Sequence, residues 1–292
     1  MTALPGAGRR VLIPHIDDVG MCHGANLACL ELMGHGFVTT ASVMVPCPWF
    51  PEIAAAARAR PEIDLGVHLT LTSEWRHYRW RPISTASVAS GLIDGDGFMW
   101  PDVPALRAHL DVRAAEDEMR AQIERARAAG IDPTHLDTHM GAAAAPELLE
   151  TYLRLGRDYC LPVLLPREID SYLGVLRLGE VASEPYAEAV AALAAEGALF
   201  VDRFRMTPCV DPQVSDVVYR RMVAELPPGT TFFSLHCNAP GDIEAISPEW
   251  AVWRIDECRI SGDPAFHAFV RDQGIELGGF RDIRDRHRAA SN

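Results

Sequence analysis

Asp17 and Asp18 close the apolar run Val11-Leu12-Ile13-Pro14-His15-Ile16, and three later stretches repeat the pattern: Gly66-Val67-His68-Leu69, His135-Leu136-Asp137-Thr138-His139 and Leu235-His236. Each is a strand-like apolar segment that closes on an acid or an imidazole. Carboxylates and imidazoles delivered from several strand ends to one rim form the donor set of a catalytic divalent-metal site. Such a site takes a few N and O ligands and leaves positions open for water and substrate. The residues therefore predict a metal-dependent hydrolase.

The four motifs carry different weight. Adjacent strand residues project to opposite sides, so one of Asp17 and Asp18 can bind metal while the other faces an attacking water. Acidic pairs at turns also serve as caps or solvated surface. His68 alone reads equally well as a hydrogen-bonded core histidine. Period-2 alternation puts His135, Asp137 and His139 on one face, and three titratable groups there are costly to bury without a metal or tight pairing. His236 follows a strand and precedes the turn-forming Cys237-Asn238-Ala239-Pro240-Gly241, with no acid beside it in sequence. That position suits a proton donor to a leaving group. His23, His35, His77, His109, His267 and His287 fall in predicted loops or helices and are expected to face solvent.

Positioning these groups requires an ordered succession of strands and helices, and the chain alternates the two signals. Strands are predicted at 11–16, 38–45, 63–70, 131–139, 161–165, 199–204 and 230–236. Helices are predicted at 24–35, 48–60, 111–129 (closed by Gly130 as a C-cap), 146–158, 186–195, 214–224, 248–260 and 263–273, before an apolar tail at 274–280. About seven parallel strands with crossover helices predict an α/β fold: one TIM-like (β/α) barrel, closed or incomplete, spanning 1–292, with its chemistry at the C-terminal strand ends. A doubly wound open sheet is the alternative. The segment 73–104, with Trp75, Tyr78, Trp80 and Trp100, breaks the rhythm. It is either a surface excursion packed by its own aromatics or a flap that touches substrate.

Composition excludes several partners. A net charge of −13 over 292 residues argues against nucleic acid and against an anionic membrane, both of which reward clustered Lys and Arg. No apolar stretch approaches the roughly 20 residues needed to cross a bilayer. Met1-Thr2-Ala3-Leu4-Pro5 runs through Arg9-Arg10 into the first strand without an apolar leader. The seven cysteines (22, 29, 47, 160, 209, 237, 258) are odd in number and lack a CxxC pair, which favours buried thiols in a reducing cytoplasm.

The segments Ile16-Asp17-Asp18-Val19-Gly20-Met21, Thr39-Thr40-Ala41-Ser42-Val43-Met44-Val45, Leu65-Gly66-Val67-His68-Leu69-Thr70-Leu71-Thr72 and His135-Leu136-Asp137-Thr138-His139 together resemble the YdjC-like carbohydrate deacetylases. That group includes chitooligosaccharide deacetylases and deacetylases of hopanoid biosynthesis. The likeness is close over residues 10–72 and 131–141 and rests further on upon Pro166-Arg167, Asp202 and Leu235-His236. It implies a (β/α) barrel and a divalent metal held by Asp18, His68 and His139, with His135 as the competing ligand on the same strand. One carboxylate and two imidazoles suit Zn, Mn, Fe, Co or Ni, the resemblance also admits Mg, and Zn or Mg is the expected ion. Asp17 would be the general base, His236 a general acid or transition-state stabiliser, and Arg167 a group to orient Asp17 or to pair elsewhere. The implied substrate is a small N-acetylated carbohydrate; a homodimer stays open. Two departures concern substrate: Cys237-Asn238 stands where the family often has Pro-Gly, and Met140-Gly141 where it often continues His-x-His. Phosphoester hydrolysis, sugar isomerisation and non-catalytic sugar binding are the competing functions. Phosphatases usually add Lys or Arg for the phosphate, and this chain has no lysine.

Overall fold

A computed structural model of the protein describes residues 8–198 and 200–290. The leader reading of residues 1–5 and the first residue of the strand predicted at 199–204 lie outside the described residues. The strands are β1 (Arg10–Val19), β2 (Thr40–Val43), β3 (Leu65–Leu69), β4 (Leu136–Thr138), β5 (Arg203–Met206), β6 (Gly229–Leu235) and β7 (Glu276–Leu277). The helices are α1 (His23–His35), α2 (Phe50–Ala59), α3 (Val103–His109), α4 (Val112–Ala128), α5 (Leu149–Tyr159), α6 (Ile169–Leu173), α7 (Glu184–Ala195), α8 (Pro212–Ala224), α9 (Ile243–Ile246), α10 (Pro248–Ser261), α11 (Pro264–Asp272) and α12 (Arg281–Ala290).

All pairings between strands are parallel, in the order β4-β3-β2-β1-β6-β5, with β7 against the start of β1. Helices wrap the sheet, and the whole is an incomplete α/β barrel. The central strand β1 is buried from Leu12 to Val19, as a parallel strand covered on both faces must be. It runs in continuous register with β6 from Arg10 opposite Gly229 to Ile16 opposite Leu235.

The sheet curls, and a distance shows how strongly. Asp18 on β1 and His139 after β4 lie three strands apart, about 14 Å in a flat sheet at about 4.8 Å per strand. Their side chains meet at 3.1 Å. The open edge between β4 and β5 is spanned by residues 161–168, where the sequence predicts a strand at 161–165. Only Val163 forms a bridge, to Leu136. The same segment then turns to β5's approach through Arg167 N to Val201 O (3.0 Å) and Glu168 N to Asp202 O (2.8 Å). Pro162 and Pro166 lack the N–H groups that a regular ladder would need.

Other boundaries move for local reasons. The predicted strand at 131–139 is regular only over Leu136–Thr138, and a 3₁₀ segment, 139–144, begins at His139. The predicted strand at 199–204 sits at Arg203–Met206. Helix α4 starts where Asp111 accepts a hydrogen bond from Ala114 N (2.8 Å) and stops before Gly130, whose φ of 89° a residue with a Cβ rarely adopts.

The segment 73–104 is ordered by burial. Trp75, Trp80 and Met99 form a second apolar cluster with Met21, Cys22, Met44, Cys47, Ile243 and Ala251 over the mouth of the barrel. Its far side is tied down by Glu118 of α4, fully buried, which accepts from Ile83 N (3.1 Å), Ser84 N (2.8 Å) and Gln122 Nε2 (2.8 Å). No helix among the described residues is long and apolar enough to cross a membrane.

Candidate metal centre and active-site cavity

Asp17 and Asp18 stand near the end of β1, and the local backbone sets where they point. Between Ile16 and Val19 three residues of β1 advance against two of β2, because Ile16 pairs with Ala41 and Val19 with Val43. The extra residue is a bulge, and Asp18 has φ 62°, a left-handed conformation that aspartate tolerates better than most side chains. Period-2 alternation predicted opposite directions for the two carboxylates. The bulge turns both into the same cavity.

Asp18 Oδ1 lies 3.1 Å from His139 Nδ1 and 3.5 Å from His68 Nε2, and all three donor atoms fall within 4.8 Å of one another, buried. The remaining atom of each group has its own partner. Arg254 donates to Asp18 Oδ2 (2.8 Å), Asp137 Oδ1 pairs with His68 Nδ1 (2.9 Å), and Glu74 Oε2 pairs with His139 Nε2 (3.0 Å). Carboxylates behind imidazoles fix ring orientation and raise basicity in metal sites, so one oxygen and two nitrogens presented in this way fit a divalent cation. The carboxylates around the site favour positive charge there. Burial pushes the Asp18 carboxyl up, but Arg254 and the two histidines outweigh it and hold the group well below the usual range. Burial lowers His68 and His139, yet Asp137 raises the first well above its ordinary value, and Glu74 with Asp18 brings the second to about 9.

Asp17 is held from three sides. His15 Nε2 lies 3.2 Å from Oδ1, Ser234 of β6 donates to Oδ2 (2.7 Å), and His236 Nε2 lies 3.7 Å from Oδ2. Burial raises the Asp17 carboxyl, and the bond and charge of His15 bring it below the usual value, so it stays ionised. His236 leaves β6 with its backbone N–H donating to Glu257 Oε2 (2.7 Å) and its ring against Trp253, centroids 5.1 Å apart. Burial, with Arg254 and His68 nearby, lowers His236 to about 4, so the ring is neutral near pH 7.

These groups floor a cavity of about 880 Å³. Its lining includes the apolar side chains of Tyr172, Leu176, Phe204 and Met206, the indoles of Trp250 and Trp253, and the polar Arg76, His77, Arg177 and Glu249.

The structure thus brings Asp17, Asp18, His68, His139 and His236 together and leaves two predicted site residues elsewhere. His135 is fully buried one layer deeper, stacked on Phe280 (4.0 Å), in a group with His15 and Asp137, and burial lowers it to about 3. Arg167 pairs with Asp202 (3.3 Å) and does not line the cavity. His77 is exposed, as expected, and also borders the cavity, whereas His267 is half-buried and stacks on Phe37 (5.0 Å). Sequence reasoning missed His15, Glu74 and Arg254. His15 carried a signal, an imidazole two residues before Asp17 on the same strand face. Glu74 and Arg254 lie in a loop and a helix and carried none. The cysteines are all free, and four are buried.

The YdjC-like protein family model matches residues 11–272. A carbohydrate deacetylase of Thermus thermophilus is 35% identical over 254 residues, covering 87% of this chain and 87% of that protein. A carbohydrate deacetylase of Clostridium beijerinckii is 25% identical over 279 residues, covering 93% and 99%. A solved structure from Enterococcus faecalis V583, described as that of a candidate cellobiose-phosphate cleavage protein, superposes with a TM-score of 0.76 at 22% identity, over 94% of this chain and 99% of that one. At that identity the likeness concerns the fold.

Proposed function

The chain belongs to the YdjC-like protein family, and from that premise we propose that it is a metal-dependent carbohydrate N-deacetylase, hydrolysing the acetamide of an N-acetylated amino sugar or oligosaccharide. The supporting observation is the juxtaposition of a second buried carboxylate, Asp17, with the Asp18, His68 and His139 trio in one cavity.

Asp18, His68 and His139 would hold the cation. When bound, it supplies Lewis-acid polarisation of the amide carbonyl and acidifies a water. Asp17 accepts the proton of the attacking water as the C–O bond forms, its geometry kept by Ser234 and His15. His236, neutral at rest and 3.7 Å from Asp17 Oδ2, takes up that proton and releases it to the amine nitrogen as the C–N bond breaks. Acetate and a free amino sugar leave. Arg254 acts through Asp18, occupying one carboxylate oxygen so that the other faces the two imidazoles. Trp250 and Trp253 in the cavity lining would offer flat apolar faces to a sugar ring.

The test is acetate release from N-acetylglucosamine and its oligomers by purified protein, before and after chelation and with metal restored, with a sugar-phosphate hydrolysis assay alongside. Acetate release that chelation abolishes and metal restores supports the proposal. Release that survives chelation removes the metal from the reaction, and phosphate release without acetate replaces the reaction class.

A further inference from the structure

A deeper polar layer, His15, His135 and Asp137, lies behind the Asp18, His68 and His139 trio and is built around one residue. His15 is fully buried on β1, between the ring of Phe232 (centroids 4.5 Å) and the edge of His135 (5.0 Å). Its Nε2 is 3.2 Å from Asp17 Oδ1, 3.2 Å from Asp137 Oδ2 and 3.0 Å from Ser42 Oγ. Asp137 Oδ1 in turn pairs with His68 Nδ1 at 2.9 Å, and Ser42 donates to Asp137 Oδ2 at 2.8 Å. A continuous buried path therefore runs from Asp17 on β1 through His15 to Asp137 on β4 and on to His68 on β3. At one end is the proposed proton acceptor and at the other a proposed metal ligand.

We propose that His15 is a positioning residue that holds Asp17 and Asp137 in one register, so that the base and the metal ligand His68 keep a fixed mutual geometry. This rests on the deacetylase reading for its kinetic consequence but not for its effect on the cation. One imidazole nitrogen facing two carboxylates from strands three apart is a clamp. Without the ring those carboxylates would face each other across a buried gap bordered by the Ser42 hydroxyl and the His68 ring, and like charges there repel. Asp17 would swing toward the cavity, and Asp137 Oδ2 would keep Ser42 but lose His15, loosening the carboxylate whose other oxygen pairs with His68. Groups behind a ligand, when removed, typically weaken metal binding by about 10- to 100-fold.

The experiment compares wild type with His15→Asn, Asp137→Asn and the double variant, reading kcat and KM for acetate release, metal content, and metal Kd by chelator competition. His15→Asn is expected to lower kcat by about tenfold or more, to leave KM within about twofold, to retain one cation per chain, and to weaken the cation by about tenfold. Because His15 reaches His68 through Asp137 and through the Ser42 hydroxyl that Asp137 also holds, the loss of metal affinity in the double variant should fall well short of the sum of the two single losses. Additive losses overturn the clamp, as does an unchanged Kd in His15→Asn. Two cations per wild-type chain with one lost in His15→Asn also overturn it, making His15 a ligand. If wild type releases no acetate while the Kd pattern holds, the deacetylase reading fails and the clamp stands. Should His15→Asn not fold, Ser42→Ala, which removes the hydroxyl shared by His15, Asp137 and His68, is expected to weaken the cation, and an unchanged Kd there overturns the clamp.

Discussion

The strand ends and the segments above them contribute different things to the same cavity. β1, β3, β4 and β6 bring Asp17, Asp18, His68, His139 and His236, each within or one residue past a strand. The covering segments, 73–104 and 236–254, bring Glu74, Arg254 and two tryptophans, and each of the two charged groups touches a residue already placed by the sheet: Glu74 to His139, Arg254 to Asp18. Reactive atoms sit on the backbone whose position the ladder fixes most tightly, together with the strand-borne supports His15, Asp137 and Ser234, and Glu74 and Arg254 add support from outside the sheet. The covering segment is nonetheless firm where it matters, since Trp75 beside Glu74 belongs to a buried apolar cluster.

Substitutions can break that division. The largest effect is expected from the strand-borne base: Asp17→Asn should lower kcat by about 10²- to 10⁴-fold while metal content, read by elemental analysis, stays at the wild-type level. A loop-borne support should cost less, and through a different quantity. Glu74→Gln is expected to weaken metal by about 10- to 100-fold, read by chelator competition, with kcat at saturating metal close to wild type. A kcat loss matching that of Asp17→Asn would place Glu74 in the chemistry and erase the contrast between the two regions.

Two smaller effects sharpen it. Gly66 on β3 leaves room for the His135 ring, because a Cβ there would lie 2.4 Å from its Cε1. Gly66→Ala should destabilise the fold by about 1–3 kcal/mol, read as a lowered denaturation midpoint, and disturb His68 two residues on. Far from the site, Arg154 and Arg120 hold the Glu116 carboxyl down at about 2 on the partly exposed face of α4. Its folded-state value lies below the ordinary one, so its contribution is present above about pH 4.5 and is lost as pH falls toward 2. For a solvent-screened pair that is about 1 kcal/mol or less. Glu116→Gln should therefore lower thermal stability slightly at pH 7 and not at all near pH 2.

Much of this was legible because the groups that do the chemistry end apolar runs. Asp17, Asp18, His68, His139 and His236 stand out in sequence through the same feature that positions them, a strand too apolar to carry charge except at its rim. Helices α4, α10 and α11 were legible from periodicity and caps. Arg167 and His135 show the limit. Both lie beside the right elements, yet Arg167 pairs with Asp202, and the irregular backbone before Leu136 with the glycine at 66 directs His135 into the core. Short elements such as α3, α6 and α9 carried no pattern long enough to read.

The order of residues by itself determined the alternation of strand and helix, the parallel sheet, and which acids and imidazoles reach its rim, because period and burial are local properties of a run of side chains. Only the tertiary structure decided that the sheet curls until β1 and β4 face each other, that the bulge at Asp18 turns two neighbouring carboxylates the same way, and that Glu74, Arg254 and His15 complete the set. Those are contacts between residues up to 236 positions apart, set by strand twist and packing, and no local pattern encodes them.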